Sequence, residues 1–313
     1  MGLIQGLVTI AIPAYKDKWL AEAIESALNQ DYENIELIIV DDHSPFGLEK
    51  IVTPYLKDSR VHYYYNEKNL GKESIVLNWN KCVDLANGEF FVLLCDDDIL
   101  LPNFVSSLLT LAMKYPDCNV FHGRRSVFDD STEEERDENQ WPEFEDYGSF
   151  FKADYINQRN HTITEFLYRT KLIKKEKYEV FPVGYFSDNA TILKLIKFGG
   201  IASSKEVLCK FRKSKDHISG NNRYEYGKAK AAISYYTWYQ TNICSLLSDK
   251  KKNDRLDIWM VSFFNNATFL GKLKILSIIP HDIWGYKQKM YMFLSIFGLN
   301  KIIDSLRGRL FLH

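Results

Sequence analysis

The hydrophobic pattern of the first hundred residues switches between two periods. Short apolar runs, which are typical of buried strands, alternate with stretches whose apolar residues recur every three or four positions, as in helices. The predicted strands cover 7–12, 35–40, 61–65 and 90–95. The predicted helices cover about 20–28, 48–56 and 73–86, with Asn87-Gly88 closing the last one. This alternation predicts right-handed crossovers and an α/β fold, with a mostly parallel, Rossmann-like sheet flanked by helices.

The pattern after Pro102 is less regular. Helices are expected at 104–113 and at 190–200, the second ending in a glycine pair, and the last hundred residues are mainly helical in pattern. The segment 129–140, DDSTEEERDENQ, predicts a polar acidic loop. We favour a solvated excursion for it, with a mobile lid as the alternative.

Composition adds few constraints. The chain is 46% hydrophobic and 26% charged, which is typical of a globular protein, and its net charge of −1 gives no reason to expect a nucleic-acid partner. The five cysteines form no C-x-x-C pair, so neither a zinc site nor a disulfide framework is indicated. The N-terminus lacks the basic region of a secretory signal, and no apolar run has membrane-spanning length. We therefore expect a cytoplasmic location.

Two acidic groups follow predicted strands. Asp41 and Asp42 come directly after the second strand, and Asp96–Asp98 come after the fourth. Ligands of open parallel sheets bind outside the carboxyl ends of the strands, where both groups are expected to lie. Clustered carboxylates suit a hard divalent cation, and an acidic turn that caps the next helix is the alternative.

Two longer stretches carry a resemblance to a known family. VTIAIPAYKDKWLAEAIESALNQDYENIELIIVDDHS (8–44) and NLGKESIVLNWNKCVDLANGEFFVLLCDDDILLP (69–102) resemble the family-two inverting glycosyltransferases. The resemblance implies the A-type glycosyltransferase fold, a nucleotide-sugar donor, with a UDP-sugar as the expected one, and Mn²⁺ or Mg²⁺ as cofactor. It also implies a glycosyltransferase catalytic domain at 1–220, with the nucleotide-binding part at about 1–98 and the acceptor-binding part at about 99–220, followed by a helical extension at 221–313.

The resemblance also assigns residues to the donor site. Pro13 and Tyr15 would lie beside the uridine base, and Asp42 would bind the uracil edge. Lys72 would lie in the loop that approaches the nucleotide, and Asp96 would face the ribose or a metal-bound water.

The family's metal signature, Asp-x-Asp-Asp, falls on Cys95–Asp98 when it is counted back from Pro102. Asp97 matches the metal ligand, and Asp98 is either a second ligand or a structural residue. Cys95 replaces the first aspartate of the signature, which departs from the family pattern.

A later stretch, KFRKSKDHISG, resembles the family's Tyr-Arg-x-His segment that closes over the diphosphate. Arg212 and Lys213 are then expected to contact the diphosphate, although a solvated basic face is equally compatible. Ser214 stands where the family has its histidine. His217, three residues on, either substitutes for it as a metal ligand or is a surface histidine.

The catalytic base is assigned to Asp188. The segment VGYFSDNATILKLIKFGG resembles the family's segment with an acidic residue before an acceptor-side helix. An inverting transfer needs one carboxylate to take the proton from the acceptor hydroxyl. The alternative for Asp188 is an N-cap of the helix that begins near residue 190.

The region 263–309 interleaves lysines and arginines with aromatic and aliphatic residues. This pattern suits peripheral contact with the inner face of the cell membrane, and equally a helical subdomain that packs on the core or on a partner in a homodimer. The resemblance implies a glycan acceptor, one linked to polyprenyl diphosphate in many relatives, and a role in bacterial capsule, O-antigen or other surface polysaccharide biosynthesis.

Two other functions stay open. A sugar-nucleotide nucleotidyltransferase has a similar sheet, but its glycine-rich loop is absent after the first strand, where IPAYKDKWL stands. A catalytically degenerate, glycan-binding scaffold would fit Cys95 and Ser214, whereas Asp97 and Asp188 argue against it.

Overall fold

The computed structural model describes residues 2–132, 134–138, 140–156, 159–214, 221–243, 249–279 and 285–297. The chain divides into two compact units. The first contains the described residues of Met1–Val180 and Ser187–Lys215, and the second contains those of Phe181–Phe186 and Asp216–His313.

The first unit holds the strands. They are β1 (Ile4–Ala14), β2 (Ile35–Asp41), β3 (Val61–Tyr65), β4 (Gly88–Leu93), β5 (Ile99–Leu100), β6 (Val120–Asp129), β7 (Glu135–Asp137), β8 (Phe144–Glu145), β9 (Phe166–Arg169) and β10 (Ile201–Lys213). Its α-helices are α1 (Leu20–Leu28), α2 (Glu49–Val52), α3 (Ile75–Leu85), α4 (Phe104–Lys114), α5 (Tyr147–Phe151), α6 (Thr170–Glu176) and α7 (Ser187–Leu195). A 3₁₀ turn at Thr53–Lys57 replaces the second half of the helix expected at 48–56.

The strands form one sheet in the order β3-β2-β1-β4-β9-β6-β10-β5. The four strands predicted from the first hundred residues are parallel neighbours, which confirms the expected Rossmann-like α/β fold for this part. The second half makes the sheet mixed. The strand β9 runs antiparallel to both β4 and β6, whereas β6 and β10 are parallel.

The strand β1 continues through Pro13, where the sequence pattern predicted its end. Pro13 pairs in register with Val40 of β2, and the pairing of β1 with β4 ends two residues earlier, at Ala11 and Leu93. The carbonyl oxygen of Ala14 accepts a hydrogen bond from the nitrogen of Asp42, just after β2. Successive residues of a strand direct their backbone groups to opposite sides, so the nitrogen of Pro13 faces β4, past the last residue of β4 that pairs with β1. The missing N–H of proline therefore removes no bond from the sheet.

The prediction that Asn87-Gly88 closes the preceding helix is wrong. The helix α3 ends at Leu85, and Gly88 is the first residue of β4. A Cβ on Gly88 would lie 2.5 Å from the carbonyl oxygen of Leu7 and 2.8 Å from the nitrogen of Thr9. Glycine is therefore required here by the close approach of β1, and not by a left-handed helix cap.

The acidic segment 129–140 is more ordered than the predicted loop. Its residues Glu135–Asp137 form β7, which pairs antiparallel with β6. Asp129 and Asp130 at the end of β6 bind basic side chains, the first pairing with Lys213 Nζ at 2.9 Å. These ion pairs attach Asp129 and Asp130 to the end of β10.

The second unit is helical, as expected for the C-terminal extension. Its helices are α8 (Glu225–Asn242), α9 (Asp249–Asn266), α10 (Phe269–Ile278) and α11 (Tyr286–Ser295). They share an apolar cluster that includes Ala232, Leu256, Met260, Phe264 and Ile275. Among the described helices, none has the length and apolar character needed to cross a bilayer.

Candidate active site

The acidic cluster Asp96–Asp98 follows β4 and is held by the end of β1. Asp96 Oδ2 accepts hydrogen bonds from the backbone nitrogens of Tyr15 (2.8 Å) and Lys16 (2.7 Å). All three aspartates are buried. Two parallel neighbouring strands thus bring residues eighty positions apart together at the carboxyl edge of the sheet.

Lys16 offsets the repulsion between these carboxylates. Its ammonium forms an ion pair with Asp97 and lies 3.4 Å from Asp96 Oδ1. Burial alone would lower the pKa of Lys16, but the charges of Asp96 and Asp97 raise it above its ordinary value. Sequence reasoning assigned no role to this lysine, because nothing in the local pattern links it to residues that lie so far along the chain.

Asp98 has a different environment. Its Oδ2 accepts from Thr164 Oγ1 at 2.7 Å, and its Oδ1 accepts from the backbone nitrogen of Arg212 at 3.0 Å. Burial, followed by the charge of Asp97, raises the pKa of Asp98 to about 7. Among the described residues, no basic side chain forms an ion pair with Asp98. A positive charge bound nearby would favour the ionised form of this carboxylate.

The donor set at this position suits a divalent metal ion. Ligand atoms of Cys95, Asp97 and Asp98 all lie within 4.8 Å of one another. The two carboxylates are the hard oxygen ligands that Mg²⁺ and Mn²⁺ prefer. Burial raises the pKa of the Cys95 thiol well above its ordinary value, so this sulfur is a weak ligand for such ions. Asp97 and Asp98 therefore fit the implied metal better than Cys95 does.

Asp42 anchors the loop expected near the nucleotide. Its Oδ1 accepts from the backbone nitrogen of Leu70 (2.8 Å), and its Oδ2 accepts from that of Gly71 (2.7 Å). The next residue, Lys72, is exposed, and its backbone nitrogen donates to Asn69 Oδ1 at 2.8 Å. The buried carboxylate of Asp42 thus fixes the backbone from which the Lys72 side chain projects.

The predicted base, Asp188, lies in the first turn of α7 beside a buried histidine. His161 Nδ1 is 3.6 Å from Asp188 Oδ2, and His161 Nε2 is 3.1 Å from Asp154 Oδ1. Burial raises the pKa of Asp188, which suits a base that works near neutral pH, and the charge of His161 opposes that rise. Burial alone would lower the pKa of His161, but Asp154 and Asp188 raise it.

Sequence reasoning missed both His161 and Asp154. Each stands in an irregular part of the chain, and their partnership arises only when the chain returns at α7. An isolated histidine in a sequence carries no sign of such a partner.

The segment 161–165 connects several parts of the site. His161 lies beside Asp188, Thr164 donates to Asp98, and Glu165 forms an ion pair with Arg125. It therefore joins the acidic cluster to the surroundings of the predicted base within five residues.

The predicted diphosphate contacts are engaged with protein groups. Arg212 is buried, and its guanidinium nitrogens bond the carbonyl oxygen of Asp97 (3.0 Å), Asp130 Oδ1 (3.1 Å) and Glu22 Oε2 (2.5 Å). Lys213 pairs with Asp129 at 2.9 Å. His217 lies outside the described residues. Arg212 consequently ties the acidic cluster to α1 and to the end of β6.

A model of the family described as glycosyl transferase family 2 matches residues 9–180, more than half of the chain. The chain belongs to glycosyl transferase family 2. The family resemblance found in the sequence is thereby confirmed.

The curated relatives of this family-2 chain match it over a limited length. A Campylobacter jejuni protein named GalNAc(5)-diNAcBac-PP-undecaprenol beta-1,3-glucosyltransferase is 35% identical over 107 residues, which is 34% of each protein. The match spans between about a third and two fifths of the length of three of these curated relatives, and 16–18% of the length of three others.

Solved structures resemble the whole family-2 chain. Staphylococcus aureus TarS 1–349, in a complex with UDP-GlcNAc, has a TM-score of 0.58 at 15% identity and covers 98% of this chain and 93% of its own. The mannosyltransferase PcManGT of Pyrobaculum calidifontis, with GDP-Man and Mn²⁺, has a TM-score of 0.56 at 13% identity and covers 93% and 79%. The fold is therefore the A-type glycosyltransferase fold that the sequence predicted.

Proposed function

We propose that this chain is a metal-dependent, inverting glycosyltransferase that moves a sugar from a nucleotide-sugar, here a UDP-sugar, to a hydroxyl of a glycan acceptor. One observation carries the proposal: the segment 161–165 touches both the carboxylate cluster and the predicted base. Thr164 bonds Asp98, and His161 lies 3.6 Å from Asp188. A donor phosphate held at the cluster would lie near an acceptor hydroxyl that the base can reach.

In this proposal Asp97 and Asp98 hold Mn²⁺ or Mg²⁺. The cation supplies charge stabilisation for the departing diphosphate. The donor site comprises Pro13, Tyr15, Asp42, Lys72, Asp96, Arg212 and Lys213. Lys16 forms an ion pair with Oδ2 of Asp97, so a metal ion bound at that oxygen would displace its ammonium. The Mn²⁺ in the PcManGT structure supports the choice of metal class, and the UDP-GlcNAc complex of TarS supports the donor class.

Asp188 is the proposed base. It takes the proton of the acceptor hydroxyl while that oxygen bonds the anomeric carbon and the bond to the nucleoside diphosphate breaks. A single displacement inverts the anomeric carbon and needs no second carboxylate as nucleophile. His161, held by Asp154, favours the ionised form of Asp188, because its positive charge opposes the rise in the pKa of Asp188 that burial causes.

Titration calorimetry with UDP tests the proposal directly. We expect UDP to bind in the presence of Mn²⁺ and to bind much more weakly in EDTA. Asp97→Ala should abolish this difference, while Asp84→Ala, which removes an exposed carboxylate from α3, should preserve it.

One outcome of that experiment, and one outcome of a separate pyrophosphate-release assay, would contradict the proposal. UDP binding that does not depend on the metal would favour a degenerate, glycan-binding scaffold. Release of pyrophosphate from a nucleoside triphosphate and a sugar phosphate would favour a nucleotidyltransferase.

The proposed acceptor is a lipid-linked glycan of a bacterial surface polysaccharide, such as capsule or O-antigen. The undecaprenol in the name of the Campylobacter jejuni relative supports this class. Peripheral contact of a cytoplasmic protein with the inner face of the membrane fits such an acceptor. Phe269, Leu270 and Phe293 are exposed on α10 and α11, and Lys272 and Lys274 lie on α10. A homodimer that covers the same residues is the alternative.

A further inference from the structure

A second feature of the first unit is a cavity of about 340 Å³ between β6 and the segment that precedes β9. We call it the arginine pocket. Its lining includes His122, Arg124, Arg125, Trp141, Arg159 and Glu165. No role assigned so far to the donor, the metal or the base uses these residues.

The arginines of the pocket keep unused donors. Arg125 forms an ion pair with Glu165, and Arg124 bonds Asp137 at 2.6 Å. Within the described part of the chain, however, Nε of Arg124 and Nε of Arg125 are buried without a hydrogen-bond partner. Buried N–H groups without partners are unfavourable and rare in folded proteins. Both belong to arginines that line the same cavity, and an anionic oxygen bound beside these guanidinium groups would supply the acceptor that they lack.

His122 contributes an unused acceptor. It is buried, and its Nε2 lies 2.9 Å from Glu165 Oε2. Burial lowers the pKa of His122, so the neutral imidazole donates through Nε2 to the carboxylate. Its Nδ1 is then an acceptor, and it too is buried without a partner among the residues that the structure describes. A ligand with a hydroxyl near its anionic group would match this set.

Trp141 forms an aromatic wall of the same pocket. Its ring stacks on His122 with centroids 3.6 Å apart and planes 8° apart, and the guanidinium of Arg159 lies 4.3 Å from its centroid. Arg159 is itself fixed by two bonds to Glu145, at 2.6 and 2.9 Å. The lining is therefore built and held before any ligand arrives, which lowers the cost of binding.

The position of the pocket links it to the proposed reaction. Trp141 also contacts His161, with ring centroids 6.1 Å apart, and His161 adjoins Asp188. On the other side, Glu165 directly follows Thr164, which bonds Asp98. The pocket is thus connected to the proposed base through Trp141 and His161, and an oligosaccharide acceptor that reaches the base can extend toward the pocket.

We propose that the arginine pocket binds an anionic sugar residue of the acceptor, one that carries a carboxylate or a phosphate beside a free hydroxyl. This inference rests on the proposed function, because it takes the acceptor to be a glycan. The arginine Nε groups bind the anionic oxygens, and His122 Nδ1 accepts from the neighbouring hydroxyl. The acceptor polymer is then acidic.

Ligand-observed NMR titration of the full chain tests this inference, with glucuronic acid, glucose 6-phosphate and glucose as probes. The titrations are made in EDTA, so that a metal-bound anion cannot contribute. We expect at least one of the two charged sugars to bind about tenfold more tightly than glucose. The two charged probes distinguish a carboxylate from a phosphate.

Three variants locate the binding. Arg124→Gln should weaken the charged sugar about tenfold, and Arg124→Lys should restore it only in part, because lysine keeps the charge but lacks the fork of arginine. Arg136→Gln is the matched control, since it removes an exposed arginine from β7, the neighbouring strand. Arg136→Gln should leave binding unchanged.

The inference is overturned if glucose binds as tightly as both charged sugars, or if Arg124→Gln binds them like wild type. Calorimetry with UDP and Mn²⁺, on the same protein preparations without EDTA, distinguishes a failure of this inference from a failure of the proposed function. A wild-type protein that does not bind UDP would contradict the proposed function. The sugar titration would still measure whether the arginine pocket binds an anionic sugar.

Discussion

The carboxylate of Asp188 is the side chain on which the proposed chemistry depends most. We expect Asp188→Asn to lower turnover by about 10²- to 10⁴-fold, since removing a general base has effects of that size. UDP affinity should stay within about twofold of wild type, because Asp188 is assigned no contact with the donor. A UDP-release assay and calorimetry measure the two quantities. Wild-type turnover in Asp188→Asn would show that another group is the base.

His161 should act through Asp188 and not on the substrate itself. Its positive charge lowers the pKa of Asp188, so His161→Asn should raise that pKa. A base must be deprotonated to work, and the acid limb of the kcat/KM profile should consequently move to higher pH. A variant with reduced turnover but an unmoved acid limb would indicate a purely structural histidine.

Glu165 should make the free energy of unfolding depend on pH. Burial would raise the pKa of Glu165, but Arg125 and His122 lower it to about 2. A carboxylate with a lowered folded-state pKa stabilises the protein above its unfolded-state value, and this stabilisation, about 3 kcal/mol, is lost as pH falls from about 4.5 to about 2. Urea unfolding at a series of pH values measures the slope.

The control for this slope replaces both partners. Glu165→Gln alone leaves Arg125 buried without its counter-charge and should be destabilising at every pH. The double change Glu165→Gln and Arg125→Met should reduce the slope in this acid range. An unchanged slope in the double variant would assign the pH dependence to other carboxylates.

The close contact between β1 and β4 leaves no room for a side chain at Gly88, the first residue of β4. In Gly88→Ala the added Cβ would meet backbone atoms of Leu7 and Thr9 at 2.5 and 2.8 Å, so one strand must shift. We expect a loss of about 1–3 kcal/mol in the free energy of unfolding. Gly148→Ala in α5 is the control, because its nearest neighbour would be 3.7 Å away. Equal unfolding midpoints for the two variants would contradict the argument.

Sequence periodicity predicted the elements of the first hundred residues, each of which carries an apolar period of its own. The strands β1 to β4 and the helices α1 and α3 alternate with short connections, and their apolar periods suffice to find them. The strand β9 has four residues, too few for a period, and it acquires its place only by pairing with β4 and β6. The strands β5, β7 and β8 are shorter still.

The same limit applies to the site. Asp97 and Asp188 could be proposed as site residues from the sequence, because they match family motifs, and their roles stay predictions. Lys16 and His161 could not, because their partners lie 81 and 27 residues away and no local pattern records those contacts.

The surface of the second unit combines exposed apolar side chains with lysines. The C-terminal helices carry exposed Phe269, Leu270, Phe293 and Phe297 together with lysines, and in the first unit Met113 on α4 is 76% exposed. We expect the full chain to float with vesicles that contain anionic lipid, and to float less at high salt.

Point variants test this surface better than removal of α10 and α11, because that removal would open the apolar cluster shared with α8 and α9. Phe269→Ser with Leu270→Ser should reduce flotation severalfold, and Met113→Ser should have no effect. Equal flotation of all three proteins, or a dimer that dissociates in the double variant, would favour the alternative of a protein–protein interface.

The segment 161–165 also determines where the chain tolerates insertions. One added residue between His161 and Glu165 would disturb three contacts made by this segment. They are the contacts of His161 with Asp188, of Thr164 with Asp98, and of Glu165 with Arg125. In the connection between β6 and β7, the described residues Ser131, Thr132 and Glu134 are exposed and make local hydrogen bonds with Asp129 and with each other. A library of single-residue insertions should therefore lose transfer along 161–165 and keep it near 131–134, which would make this short stretch the part of the site whose length is least free to change.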